Sequence, residues 1–109
     1  MPNLRAGNIF HNLPKAKAKE VFQPLLRDKK LKVERIISLG QVTKEGEWLR
    51  QKQNEWVVLL RGKAVLSFLG KPGVLKLKPG DYIFIPKNLR HRVEWSDPKE
   101  RSLWLAVHF

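Results

Sequence analysis

From residue 31 to the end of the chain, short apolar runs alternate with polar residues and are broken every few positions by Gly, Pro, Asn or Asp. Alternation with a period of two sends successive side chains to opposite faces of an extended strand, and closely spaced turn residues fold such strands back on one another. The pattern predicts an all-β domain with strands over 33–39, 55–60, 64–69, 74–78, 82–85, 90–95 and 103–109. Arg61-Gly62-Lys63 makes a hairpin of the second and third. In 74–78, Leu75 and Leu77 share one face and Lys76 and Lys78 the other. In 90–95, His91, Val93 and Trp95 are expected on one face, with Arg90, Arg92 and Glu94 opposite. Many short strands at this spacing suggest a sandwich or barrel of the jelly-roll kind.

The first thirty residues follow a different rule. Pro14 and the run 15–20 predict a short helix capped near Asn12 and limited by Pro24, after which 21–26 is expected to be extended. The expected organisation is an N-terminal arm over 1–30 and a barrel over 31–109, both within one domain. A length of 109 residues supports one core, and four Trp, five Phe and one Tyr supply bulk for it. A core this small gains from pairing with a second copy, so a homodimer is expected. The apolar runs 56–60 and 103–107 are too short to span a membrane, and 1–10 has no leader-like apolar stretch. With zero Cys there are no disulfides and no thiolate sites, and the cytoplasm is the expected compartment.

The formal charge of +12 is the largest departure from average composition. A field of that sign attracts polyanions without sequence selectivity. The basic residues are scattered between apolar ones, however, and no nucleic-acid-binding motif accompanies them, so nucleic acid is not the expected partner. The charge is read as belonging to solvated outer faces, at positions such as Lys76, Lys78, Arg90 and Arg92.

Two segments carry a more specific signal. In the segment that opens at Gly46, Glu55 and Gly62 are spaced as in the first motif of the cupin superfamily, with six residues between them. Gly80, Pro86 and His91 are spaced as in its second motif, with Asn88 in place of a Gly and Trp95 in place of the final Asn. Seventeen residues separate Gly62 from Gly80, which suits a small cupin. The chain therefore resembles a single-domain cupin over about 46–95, and the resemblance implies a double-stranded β-helix barrel. Asn is a mild replacement for Gly in a turn because it tolerates a left-handed backbone.

The same resemblance implies a site inside the barrel. Cupins commonly hold a divalent metal through two His and a Glu of the first motif and one His of the second. Here the His pair is replaced by Leu49 and Gln51, leaving Gln51, Glu55 and His91 as an incomplete set for iron, manganese, nickel or zinc. Two readings remain open at this point: a weakened metal site, or Glu55 and His91 hydrogen-bonded to each other in a metal-free polar core. Under either, Glu55 and His91 are the expected acid/base pair, with Gln51 and Trp95 as ligand-binding neighbours. His11 is expected on the surface, and His108 faces either the cavity or a subunit contact. The expected function is binding of a small metabolite with possible proton transfer. The alternative is a non-catalytic module whose basic surface meets a polyanion or a protein partner.

Overall fold

A computed structural model describes residues 4–109; Met1–Asn3, part of the segment read for a leader, lie outside the described residues. Eight strands follow in order: β1 (Val21–Asp28), β2 (Leu31–Ser38), β3 (Glu55–Arg61), β4 (Ala64–Phe68), β5 (Lys71–Leu77), β6 (Tyr82–Ile85), β7 (His91–Ser96) and β8 (Ser102–His108). They form one five-stranded sheet, β1-β2-β8-β3-β6, and one three-stranded sheet, β5-β4-β7, all antiparallel. The all-β jelly-roll expectation holds. Strand β1 is hydrogen-bonded to β2 along its length and so extends the larger sheet.

Alternation explains the layering. On β8, Ser102, Trp104, Ala106 and His108 point between the sheets, where Trp104 and Ala106 join Val57, Leu59, Leu66 and Ile85 in the main core. Leu103 points the other way and packs with Ile37 and Ala16 in a second cluster beneath the arm. Ile37, Leu59 and Leu103 are fully buried, and each such side chain stabilises the fold by about 2 kcal/mol.

The arm departs from the sequence reading, because 15–20 is irregular, with a bend over 17–19, rather than a helix. Ala16 is buried at a φ of 56°, outside the helical region, and its carbonyl accepts a hydrogen bond from the Gln41 side chain at 2.7 Å. Packing of Ala16 against Ile37 and Leu103 outweighs the modest helix preference of a Lys-Ala run. Two arginines hold the arm by its backbone. Arg35, on the outer face of β2, donates to the carbonyls of Ile9, His11 and Asn12, and Arg101 donates to those of Leu13 and Pro14.

The β4–β5 turn also comes earlier than the pattern suggested. Strand β5 begins at Lys71 and contains Pro72 and Gly73, which an edge strand accommodates at an irregularity in its pairing. At the turn before β6, the Asp81 carboxylate accepts the Lys78 backbone N–H at 2.9 Å, which holds its pKa below the ordinary value. Asn88 takes the left-handed conformation expected of it, with a φ of 68°.

Gly62, in the β3–β4 hairpin, meets two constraints together. Its φ is +84°, and a Cβ there would lie 2.6 Å from the Cα of Ser102 on β8. Gly62→Ala is therefore expected to lower stability by roughly 3 kcal/mol or more, because left-handed strain adds to a clash with backbone that cannot yield. A urea denaturation midpoint close to that of the wild type would contradict this.

Candidate functional site

Between the sheets lies a cavity of about 110 Å³. Its walls are mainly apolar, from Ile36, Val57, Leu66, Ile85, Val93 and Trp104, and its polar lining comes from Glu20, Ser38, Gln51, Glu55, His91 and Ser96. Gln51, Glu55 and His91 are thus brought together, as the sequence predicted. Strand β3 presents Glu55 inward in the same alternation as Val57 and Leu59, and β7 presents His91 from the opposite sheet. Leu49 bridges His91 through paired backbone hydrogen bonds of 2.8 and 3.0 Å, which fixes the start of β7 against the loop carrying Gln51.

Glu55 and His91 share the cavity without a hydrogen bond between them among the described residues. The Nδ1 of His91 lies 3.1 Å from the carbonyl of Leu89. A carbonyl only accepts, so this bond places a ring hydrogen on Nδ1 and leaves Nε2 without a hydrogen-bond partner among the described residues. Glu55 is bonded instead to Gln51, whose Nε2 donates to Oε1 at 3.0 Å.

From Gln51 the hydrogen bonds continue to His108, which the sequence left facing either the cavity or a subunit contact, and to Glu34, which it did not single out. The Gln51 Oε1 lies 3.1 Å from Nδ1 of His108, and Nε2 of His108 lies 2.9 Å from Oε1 of Glu34. His108 and Glu34 are both buried, and Lys32 approaches the other oxygen of Glu34 at 3.6 Å. An amide oxygen and a carboxylate both accept, so both bonds form when His108 carries a hydrogen on each nitrogen. His108 thus faces the interior, and the chain Glu34–His108–Gln51 holds Glu55 in orientation. The clue to Glu34 was its parity with Ile36 on β2, but an acid on an inward face is visible only once its partner is known.

Trp95 does not line the cavity. Leu66 pairs with Val93 and Val65 with Trp95, so β7 carries one extra residue, Glu94, opposite a single step of β4. This bulge reverses the alternation. Ser96 turns inward in place of Trp95, which stands exposed in a separate groove beside Lys63, Lys76 and Lys78. The Glu94 carboxylate is held outside by Ser67 at 2.6 Å and Arg92 at 2.9 Å, and both bonds lower its pKa.

The remaining ionisable wall group is Glu20, just before β1, where the sequence had suggested the end of a short helix. Burial pushes its carboxyl pKa upward.

A family model described as Cupin domain matches residues 37–108. The chain belongs to the cupin family. Among solved structures, this cupin is similar to a protein from Ralstonia eutropha JMP134 provisionally named a mannose-6-phosphate isomerase, at 43% identity and a TM-score of 0.92, covering 96% of this chain and 97% of that one. It shares its fold with a cupin superfamily protein of Desulfitobacterium hafniense DCB-2, at 14% identity and a TM-score of 0.77 over 100% and 94% of the two chains. Hydroxypropylphosphonic acid epoxidase of S. wedmorenis, at 19% identity and a TM-score of 0.68, has the fold in 51% of its length and 83% of this chain. No curated protein matches.

The residues of this cupin do not fit the metal centre that its family commonly carries. Among the described residues no three His, Cys, Asp or Glu side chains gather as a ligand set. Leu49 has no donor, and Gln51 turns its amide oxygen to His108 and its N–H to Glu55. Glu55 and His91 remain as two strong donors, short of the three that open metal sites usually keep.

Glu20 makes the site's pH response testable. A carboxyl whose pKa rises on folding binds protons better in the folded state, so its burial cost is absent at low pH and grows as pH rises above the ordinary value of 4.5. Glu20→Gln should therefore leave stability nearly unchanged at about pH 4 and raise it near neutrality, read as a shift in urea midpoint. An equal shift at both pH values would show that burial of this charge is not the cause.

Proposed function

We propose that this cupin binds a small hydroxylated carbonyl compound inside its barrel and moves a proton on it, with His91 as base and Glu55 as its polar partner. The observation that carries this reading is the approach of His91 Nδ1 to the carbonyl of Leu89 at 3.1 Å. A carbonyl only accepts, so Nδ1 carries the hydrogen and Nε2 is the basic nitrogen of a side chain that lines the cavity together with the Gln51-bound carboxyl group of Glu55.

Aldose–ketose interconversion needs a base that takes the proton from the carbon beside a carbonyl and returns it to the neighbouring carbon. It also needs a group that hydrogen-bonds the oxygens between which the hydroxyl proton shifts. No net oxidation occurs, so two positioned side chains can suffice. The likeness to the R. eutropha protein supports an isomerase-type reaction, since 43% identity extends over nearly the whole of both chains.

The test is incorporation of solvent deuterium into dihydroxyacetone or D-glyceraldehyde, followed by NMR in the presence of a chelator. His91→Ala should lower the rate by about 100-fold or more, and Glu55→Gln by a smaller factor. Equal rates for wild type and His91→Ala would overturn the proposal.

In the same proposal the barrel works as a homodimer. Tyr82, Phe84 and Phe109 are 67%, 50% and 49% exposed at the β6 edge of the larger sheet, a concentration of aromatic surface that pairing would cover. Sedimentation equilibrium should give twice the monomer mass at micromolar concentration; a monomer mass there would remove this part of the reading.

A further inference from the structure

The cavity has a second polar end with an unused group. Ser38 is 2% exposed, lines the cavity, and its Oγ is the one fully buried side-chain polar atom without a hydrogen-bond partner among the described residues. A buried hydroxyl left unpaired costs about 1–3 kcal/mol, and such groups are normally completed by water or by a ligand. The neighbouring Ser96 is already engaged, its Oγ donating to the carbonyl of Gln41 at 2.7 Å. The sheet register separates Ser38 from the His91 end: Ser38 pairs with Ser102 at the start of β8, whereas Glu55 pairs with His108 at its finish. Between them lie the apolar side chains of Ile36, Val57 and Trp104, which suit the C–H faces of a compact molecule.

The wall also discriminates by charge. Despite the chain's +12, no Lys or Arg among the described residues lines this cavity, and its ionisable groups there are Glu20, Glu55 and His91. A phosphate inside would meet two carboxyl groups and no fixed cation, without the helix N-terminus that often substitutes for one. The upward shift of the Glu20 carboxyl by burial points the same way, since the site already resists one negative charge. The volume of about 110 Å³ lies below the roughly 300–1,000 Å³ typical of drug-sized ligand pockets.

We propose that the cavity takes an uncharged molecule of a few carbons bearing polar oxygens at both ends, and that Ser38 is the residue that hydrogen-bonds the end remote from His91. This rests on the reading of the barrel interior as the ligand site, and it excludes a phosphorylated hexose from that interior. Ser38 is a binding residue here, with no part in the proton transfer itself.

The probes are dihydroxyacetone and dihydroxyacetone phosphate, titrated into the full-length protein and followed by amide chemical shifts. Dihydroxyacetone should perturb amides at both Ser38 and His91, and its phosphate ester should perturb neither. Ser38→Ala should weaken dihydroxyacetone binding by about tenfold. Its urea midpoint should match or exceed that of the wild type, because an orphan polar atom is removed. Unchanged affinity in Ser38→Ala, with affinity lost in His91→Ala, would overturn the role of Ser38 and leave the pocket standing. Cavity shifts of similar size with the phosphate ester would overturn the selection for an uncharged ligand. Absence of any cavity response to dihydroxyacetone would overturn both this inference and the reading on which it rests.

Discussion

The double pairing of β8 is the constraint on which the rest of the structure depends. This last strand lies between β2 and β3, bonded to both, and therefore joins the early part of the chain to the motif-bearing part. Its inward residues supply Trp104 to the cavity wall and His108 to the polar chain behind Glu55, while its outward Leu103 holds the cluster under the arm. Ser102 fills the space that Gly62 leaves open. A single strand thus sets the hairpin, the core and the orientation of the site. Most of these contacts are far apart in sequence, so loop-closure entropy must be met before the cavity exists.

The polar groups inside the barrel divide into those whose bonds are complete and those left available. Glu34, His108 and Gln51 satisfy one another, which makes Glu55 a held carboxylate rather than a mobile one. His91 commits one nitrogen and keeps the other, and Ser38 commits nothing. Of the supports, Glu34 and His108 stand behind the cavity lining and Gln51 stands in it, beside the uncommitted Ser38.

Much of the scaffold could be read from residue order. Period-two alternation located the principal strands, and the spacing around Glu55, Gly62, Gly80, Pro86 and His91 pointed to a barrel and to the Gln51–Glu55–His91 grouping. What escaped the sequence depended on register or on distant partners. Trp95 was placed by simple alternation, which a one-residue bulge at Glu94 reverses, and no local residue type announces that bulge. Glu20 and Ser38 look like ordinary surface polar residues until β1 and β2 bring them to the same cavity. The helix expected at 15–20 had a local preference behind it, but a tertiary contact of Ala16 overrode it.

The clamp on the arm has a consequence for how freely this chain can change. Arg35 and Arg101 grip the carbonyl oxygens of Ile9, His11, Asn12, Leu13 and Pro14, atoms that every amino acid supplies alike. The side chains of the clamped stretch contribute nothing to those bonds, so apart from Asn12, with its φ of 49°, and Leu13, which packs on the cluster beneath the arm, its spelling can drift while its path is kept. The guanidinium of Arg35 has no such freedom: its planar fork also binds the Gln23 side chain, and a lysine could reproduce neither its reach nor its number of donors. Between related chains, the arm would then diverge in letters and persist in shape, anchored by a residue that lies outside it.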